Sequence, residues 1–161
     1  MASNATRGVL AEFIVASALG IDLSIPRTEW AAWDLTSPEG IRVEVKSAAY
    51  LQSWTQKEFS KISFSIRPAR SWNAITGIVD KKPQRPADVY VFCLLKHQDK
   101  ETLNPLDITQ WEFYVLSTTE LNNYKRSKTS ITLPSLQNLA KKSVQYEELH
   151  NTILEKSKET S

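Results

Sequence analysis

Between Ile41 and Lys46 the chain alternates strictly, with Ile41, Val43 and Val45 to one side and Arg42, Glu44 and Lys46 to the other. A period of two predicts a half-buried strand. Ser37, Pro38, Glu39 and Gly40 just before it predict a turn. That turn pairs the strand with the short run Glu29 to Leu35, which carries Trp30, Trp33 and Asp34. Ser47 to Trp54 extends the strand in this reading, and Tyr50, Gln52 and Trp54 then share the Lys46 side. Ile62 to Ile66 repeats the alternation, with Ile62, Phe64 and Ile66 inward and Ser63 and Ser65 outward. Ala87 to Leu95 is almost continuously apolar, as befits a central strand covered on both faces. Trp111 to Leu116 is a further strand, and Ile131 to Leu133 a brief one.

The helical pattern begins at about Arg7 and runs to Leu19, with Thr6 or Asn4 placed to cap it and Gly20 to stop it. At about 100° per residue its apolar side chains cover almost the whole wheel, which predicts burial on most sides. Ser117 is placed to cap a short helix through Leu121, and Ser135 to about Lys142 and Gln145 to about Leu154 read as helical. Arg67 to Pro86, with Pro68, Pro83, Pro86 and Gly77, reads as a loop with a helical turn near Trp72. The order predicts an α/β fold, a mixed central sheet flanked by helices. At 161 residues, with no repeat, low-complexity tract or linker, one domain is expected. Its core would span about 7–117, a C-terminal helical part about 118–155 and a frayed tail 156–161.

Composition narrows the functions open to such a fold. Apolar residues at 41% and charged residues at 24% exclude a disordered chain or a rod. No stretch is long and apolar enough for a membrane helix, and the first residues do not read as a signal peptide. The one cysteine, Cys93, leaves no internal disulfide and no cysteine-based zinc site, so a reducing, cytoplasmic setting is expected. Glycines stand only at positions 8, 20, 40 and 77, which excludes the glycine-rich loops of nucleoside-triphosphate and dinucleotide sites. His97 and His150 are far apart, which argues against histidine-based chemistry.

Charge is unevenly spread. Residues 1–40 carry a net −3, residues 41–86 a net +6 and residues 87–161 a net −1. The basic middle also holds Tyr50, Trp54, Phe59, Phe64 and Trp72. Basic groups bind phosphates through charge and counterion release, and aromatic rings stack on bases, so nucleic acid is the expected partner.

The candidate chemistry sits on the first alternating strand. Glu44 and Lys46 are two residues apart on one face, with Cα atoms about 6.7 Å apart. Asp34 lies opposite them across the turn, and Glu12 sits in the preceding apolar helix. A carboxylate in such a helix needs a solvent stripe, a partner such as Arg7, or a cation. Carboxylate oxygens suit Mg²⁺ or Mn²⁺, and a lysine beside them can hold an attacking water or a developing phosphoryl charge. These are the parts of metal-assisted phosphodiester hydrolysis.

Trp33-Asp34, then Glu44-Val45-Lys46 ten residues after the Asp, with Glu12 upstream, resembles the PD-(D/E)xK nuclease superfamily. Trp33 stands where the superfamily has Pro, a residue without a chemical part. The resemblance covers roughly Arg7 to Leu95 and implies a restriction-endonuclease-like αβββαβ core. It implies that Asp34 and Glu44 ligate Mg²⁺ or Mn²⁺, that Glu12 joins directly or through water, and that Lys46 activates the nucleophile. It also implies a DNA endonuclease, with DNA favoured over RNA, leaving a 5′-phosphate and a 3′-hydroxyl. No separate DNA-reading module is expected within these 161 residues, so the domain is expected to cut by shape, to dimerise or to work beside a partner subunit. Gln52 on the extended strand, and Arg67, Arg70 and Arg85 around the loop, are candidate substrate contacts. Asp88 reads as a turn acid, His97 as exposed, and Trp30 and Trp33 as core. The alternative is a catalytically silent domain of the same fold that binds nucleic acid or a protein partner; cleavage with a divalent ion separates the two.

Overall fold

A computed structural model describes residues 3–24, 32–68 and 84–159. Helix α1 spans Asn4–Leu19 and begins earlier than the alternation of polar and apolar residues implies. Its cap is Ser3, whose hydroxyl accepts the Thr6 amide at 3.2 Å, rather than Thr6 or Asn4. Gly20 closes it in the left-handed conformation at φ 72, where its missing Cβ removes the usual penalty.

Four strands form the main sheet in the order β1-β2-β4-β5: β1 Leu35–Thr36, β2 Arg42–Ala49, β4 Val89–Leu95 and β5 Trp111–Ser117. β1 and β2 are antiparallel across the turn, β2 and β4 are parallel, and β4 and β5 are antiparallel, so the sheet is mixed as expected. Every residue of β4 is buried, which accounts for its unbroken apolar run. Cys93 lies in the middle of that strand, fully buried, with burial pushing its thiol pKa up. The strand Ile62–Ile66 is narrower than expected: β3 covers Ser63–Ser65 and pairs with β6, Ser130–Thr132, in a separate two-stranded sheet. Among the described residues no helix stands between β3 and β4, and residues 69–83, with the expected turn near Trp72, lie outside the description.

β2 ends at Ala49 and does not continue to Trp54. The chain then folds into a closed loop, and Gln56 is the reason. Its side-chain oxygen accepts the Gln52 amide at 2.8 Å, while its nitrogen donates to the Tyr50 carbonyl and the Ser60 hydroxyl, each at 3.1 Å. The Ser60 amide meets the same Tyr50 carbonyl at 3.1 Å, so the two ends of the loop are joined.

The sheet is covered on both faces. On one, Val43, Val45, Val91 and Phe113 pack against Ala11, Ile14, Val15 and Leu19 of α1 and against Leu149 and Ile153 of helix α4, Leu149–Ser157. On the other, Tyr90, Phe92, Tyr114 and Leu116 pack under β3 and β6, helix α2 (Thr118–Asn123) and helix α3 (Leu133–Ala140). Ser117 caps α2 with a full capping box to Glu120. The expectation that α1 is buried on most sides does not hold. Val9 and Phe13, one turn apart, are 66% and 56% exposed, because the sheet takes only one face of the helix. Among the described residues no helix is long and apolar enough to cross a membrane.

Candidate active site

β1 is short, and that shapes the site. It covers β2 only as far as Val43. Beyond that point Asp34 acts for the missing strand: its amide donates to the Val43 carbonyl at 3.1 Å, and its carboxylate accepts the Val45 amide at 2.8 Å. The Asp34 side chain is thereby fixed against the strand that carries Glu44 and Lys46. Both of those side chains are half-buried, on the face opposite Val43 and Val45.

Glu44 and Asp34 share a side-chain hydrogen bond. Burial, then that bond and the Asp34 charge, push the Glu44 carboxyl up to about 8; Lys46 pulls it down and Glu12 pushes it further up. A Glu44 that holds its proton donates it to Asp34. Although α1 packs on the other face of the sheet, Glu12 is half-buried and its charge reaches Glu44.

Tyr90 is a member of this group that the alternation pattern does not reveal. It stands opposite Glu44 in the parallel β2–β4 register. Burial, followed by the charge of Glu44, pushes its hydroxyl up to about 12, while the nearby Arg85 guanidinium acts in the opposite sense. A parallel pairing of residues 46 apart leaves no local pattern; the only sequence signal is an aromatic hydroxyl in an otherwise apolar strand.

The donor set suits a hard cation of modest demands. Among the described residues no group of three or more His, Cys, Asp and Glu is arranged to hold a metal ion. Mg²⁺ is commonly held by one or two carboxylates and keeps several waters, and the neighbouring Asp34 and Glu44 are a donor pair of that kind. A Glu44 carboxyl pushed up by burial and by a neighbouring carboxylate is also one whose charge a divalent cation would relieve.

The remaining predicted contacts are distributed differently. Gln52 is buried beyond the end of β2, where its amide nitrogen donates to the Ala49 carbonyl at 3.0 Å and its oxygen accepts from Arg7 at 3.4 Å. Arg7 also reaches the Ser47 hydroxyl at 3.4 Å, and burial pushes its pKa down. Arg67 is exposed after β3. Arg85 donates to the Ile66 carbonyl at 3.0 Å, the Asn122 side chain at 2.8 Å and the Lys128 carbonyl at 3.1 Å. It lines a pocket of about 220 Å³ together with Lys125 and Lys128. Arg70 and Trp30 lie outside the described residues. Asp88 clamps the start of β2: its carboxylate accepts the Arg42 guanidinium at 2.8 Å and the Arg42 amide at 2.9 Å. Arg42 also lies over the ring of Trp33, 5.3 Å from its centroid, and Trp33 is half-buried against the core. His97 is half-buried and bonded to the Thr102 hydroxyl.

The family model described as bacteriophage T4 endonuclease IV matches residues 1–134, a span that holds the whole main sheet and every residue of the site. Among curated proteins, none matches the chain.

Proposed function

The chain belongs to the bacteriophage T4 endonuclease IV family, a family of nucleases, and from that premise we propose that it hydrolyses DNA in the manner of the PD-(D/E)xK enzymes. Asp34 and Glu44 would hold Mg²⁺ or Mn²⁺, with Glu12 acting through water. Bound there, the ion supplies positive charge to the phosphate oxygens. Lys46, on the same strand face, orients the attacking water and balances charge that develops on the phosphoryl group. Water adds to phosphorus, the bond to the 3′ oxygen breaks, and the leaving oxygen takes up a proton. Asp34 is held rigid by the Val45 amide, so the carboxylate needs no reorganisation as charge develops.

What supports this reading is the contact between Asp34 and Glu44 beside Lys46, within a chain of an endonuclease family. The test is a panel of labelled single-stranded, duplex and branched DNA and of RNA, incubated with Mg²⁺ or Mn²⁺. Cleavage of DNA is expected with either ion and is expected to stop with chelator. Lys46→Ala and Asp34→Asn should each lower the rate about 10²–10⁴-fold while leaving most of the DNA binding intact. A Lys46→Ala protein that cuts at the wild-type rate would overturn the assignment. Salt-sensitive binding without cleavage by any ion would return the chain to the non-cutting alternative.

A further inference from the structure

The loop that follows β2 has features the catalytic proposal does not use. Trp54 and Phe59 are 54% and 49% exposed, a costly way to leave two large rings unless something covers them. Lys57 and Lys61, both exposed, alternate with them along the chain. Lys100, from the β4–β5 connection, reaches the Trp54 carbonyl at 3.4 Å and adds a third cation. Residues 54–61 line an open depression of about 360 Å³.

The loop is built rather than slack. The Gln56 amide ties Gln52, Tyr50 and Ser60 together, and Phe59 meets Tyr50 edge to face, with ring centroids 6.3 Å apart. Tyr50 in turn packs with the cluster on the Glu44 and Lys46 face of the sheet. Its position is four residues beyond Lys46, about 13 Å along an extended chain. A nucleic-acid strand whose phosphate lies at Lys46 thus has its neighbouring nucleotides within reach of the loop.

Exposed rings with interleaved cations suit one ligand class: the flat faces of nucleobases whose phosphates lie close by. We infer that Trp54 and Phe59 form a stacking site for unpaired nucleobases of the DNA substrate, with Lys57, Lys61 and Lys100 taking the adjoining phosphates. Paired bases in a duplex keep their faces buried against one another. The site therefore takes bases from a single strand or bases displaced from a helix. The choice of DNA as ligand rests on the proposed function, whereas the stacking geometry does not.

Binding is measured by fluorescence anisotropy in chelator, so that no cleavage intervenes. The probes are a labelled oligothymidine, a mixed-sequence duplex, and the same duplex with one bulged thymidine. Trp54→Ala and Trp54→Leu are expected to weaken oligothymidine binding about 5- to 100-fold, and Phe59→Leu likewise, because leucine keeps apolar bulk and lacks a π face. Trp54→Phe should bind within about threefold of wild type, since a ring remains. Lys57→Ala should flatten the dependence of log affinity on log salt by about 0.7, a change that Trp54→Ala should not produce. The loss on removing Trp54 should appear with the single strand and the bulge and vanish with the fully paired duplex. Trp54→Leu and Phe59→Leu proteins that bind oligothymidine as wild type does would overturn the inference, as would an equal loss on the paired duplex. Because binding is read without a metal, absence of cleavage by the wild type would refute the catalytic proposal alone, and unimpaired Trp54→Leu binding would refute this one alone.

Discussion

Glu44 has the most telling ionisation in the protein. Its pKa rises from 4.5 to about 8, so between those values the folded protein holds a proton that the unfolded chain releases. The contribution to stability is therefore most favourable below 4.5, falls as pH climbs through 8, and stays unfavourable above it. Glu44→Gln removes this penalty. The variant should be inactive yet more stable than wild type at pH 9, by on the order of 2 kcal/mol after allowance for solvent screening, with the difference vanishing near pH 4. Thermal unfolding of both proteins across that range measures it. The same proton competes with a cation. Mg²⁺ affinity should strengthen with pH up to about 8 and then level off. Calorimetry at pH 7 in buffers of different ionisation enthalpy should register proton release on binding. Asp34, Glu44 and Lys46 were legible because a turn and a strict alternation leave little freedom in where they point. Gln52 was not, since its expected position assumed a strand that Gln56 draws into a loop.

At the scale of elements, the parallel pairing of β2 with β4 is held at its start by the bidentate contact of Arg42 with Asp88. The Asp88 amide also donates to the Arg42 carbonyl at 2.8 Å. Burial pushes the Asp88 carboxyl up, but the Arg42 bonds outweigh it and leave the pKa lowered from 3.8. Stability from this clamp is present above the ordinary aspartate range and is lost as pH falls through the depressed value. Asp88→Ala should cost about 1–2 kcal/mol at pH 7, read from denaturant midpoints, with the difference from wild type shrinking as pH falls below the ordinary aspartate range. Strand positions were readable because β2, β4 and β5 carry distinct patterns, alternating or continuous. The exposed side of α1 was not. A helix apolar on nearly every side announces burial without saying which faces the fold has room to cover, and here Val9 and Phe13 remain outside. The second sheet escaped for a related reason: Phe64 and Ile131 pair across 67 residues, too far apart for any local signal.

For the molecule as a whole, the layered arrangement sorts chemistry by face. Helices α1 and α4 close one side with apolar contacts, and the other side carries Glu44, Lys46 and the loop after β2. Lys125 and Lys128, beyond α2, line the pocket that Arg85 braces on that same side. The net +6 of residues 41–86 pointed to a phosphate-binding surface, but Lys125 and Lys128 lie in a segment whose overall charge is close to neutral. Only folding brings them beside Arg85. Lys125→Ala with Lys128→Ala should weaken DNA binding uniformly across sequences and flatten the salt dependence by about 1.4 to 1.8 in log–log slope, as filter binding at several salt concentrations would show.

The sole thiol of the chain sits at the centre of that arrangement, paired in register with Ser47 of the neighbouring strand. A thiol reagent gains access to it only when the sheet parts. Its labelling rate is thus a natural clock for opening of the strand pair that carries Glu44 and Lys46, readable in the wild-type sequence with no probe introduced.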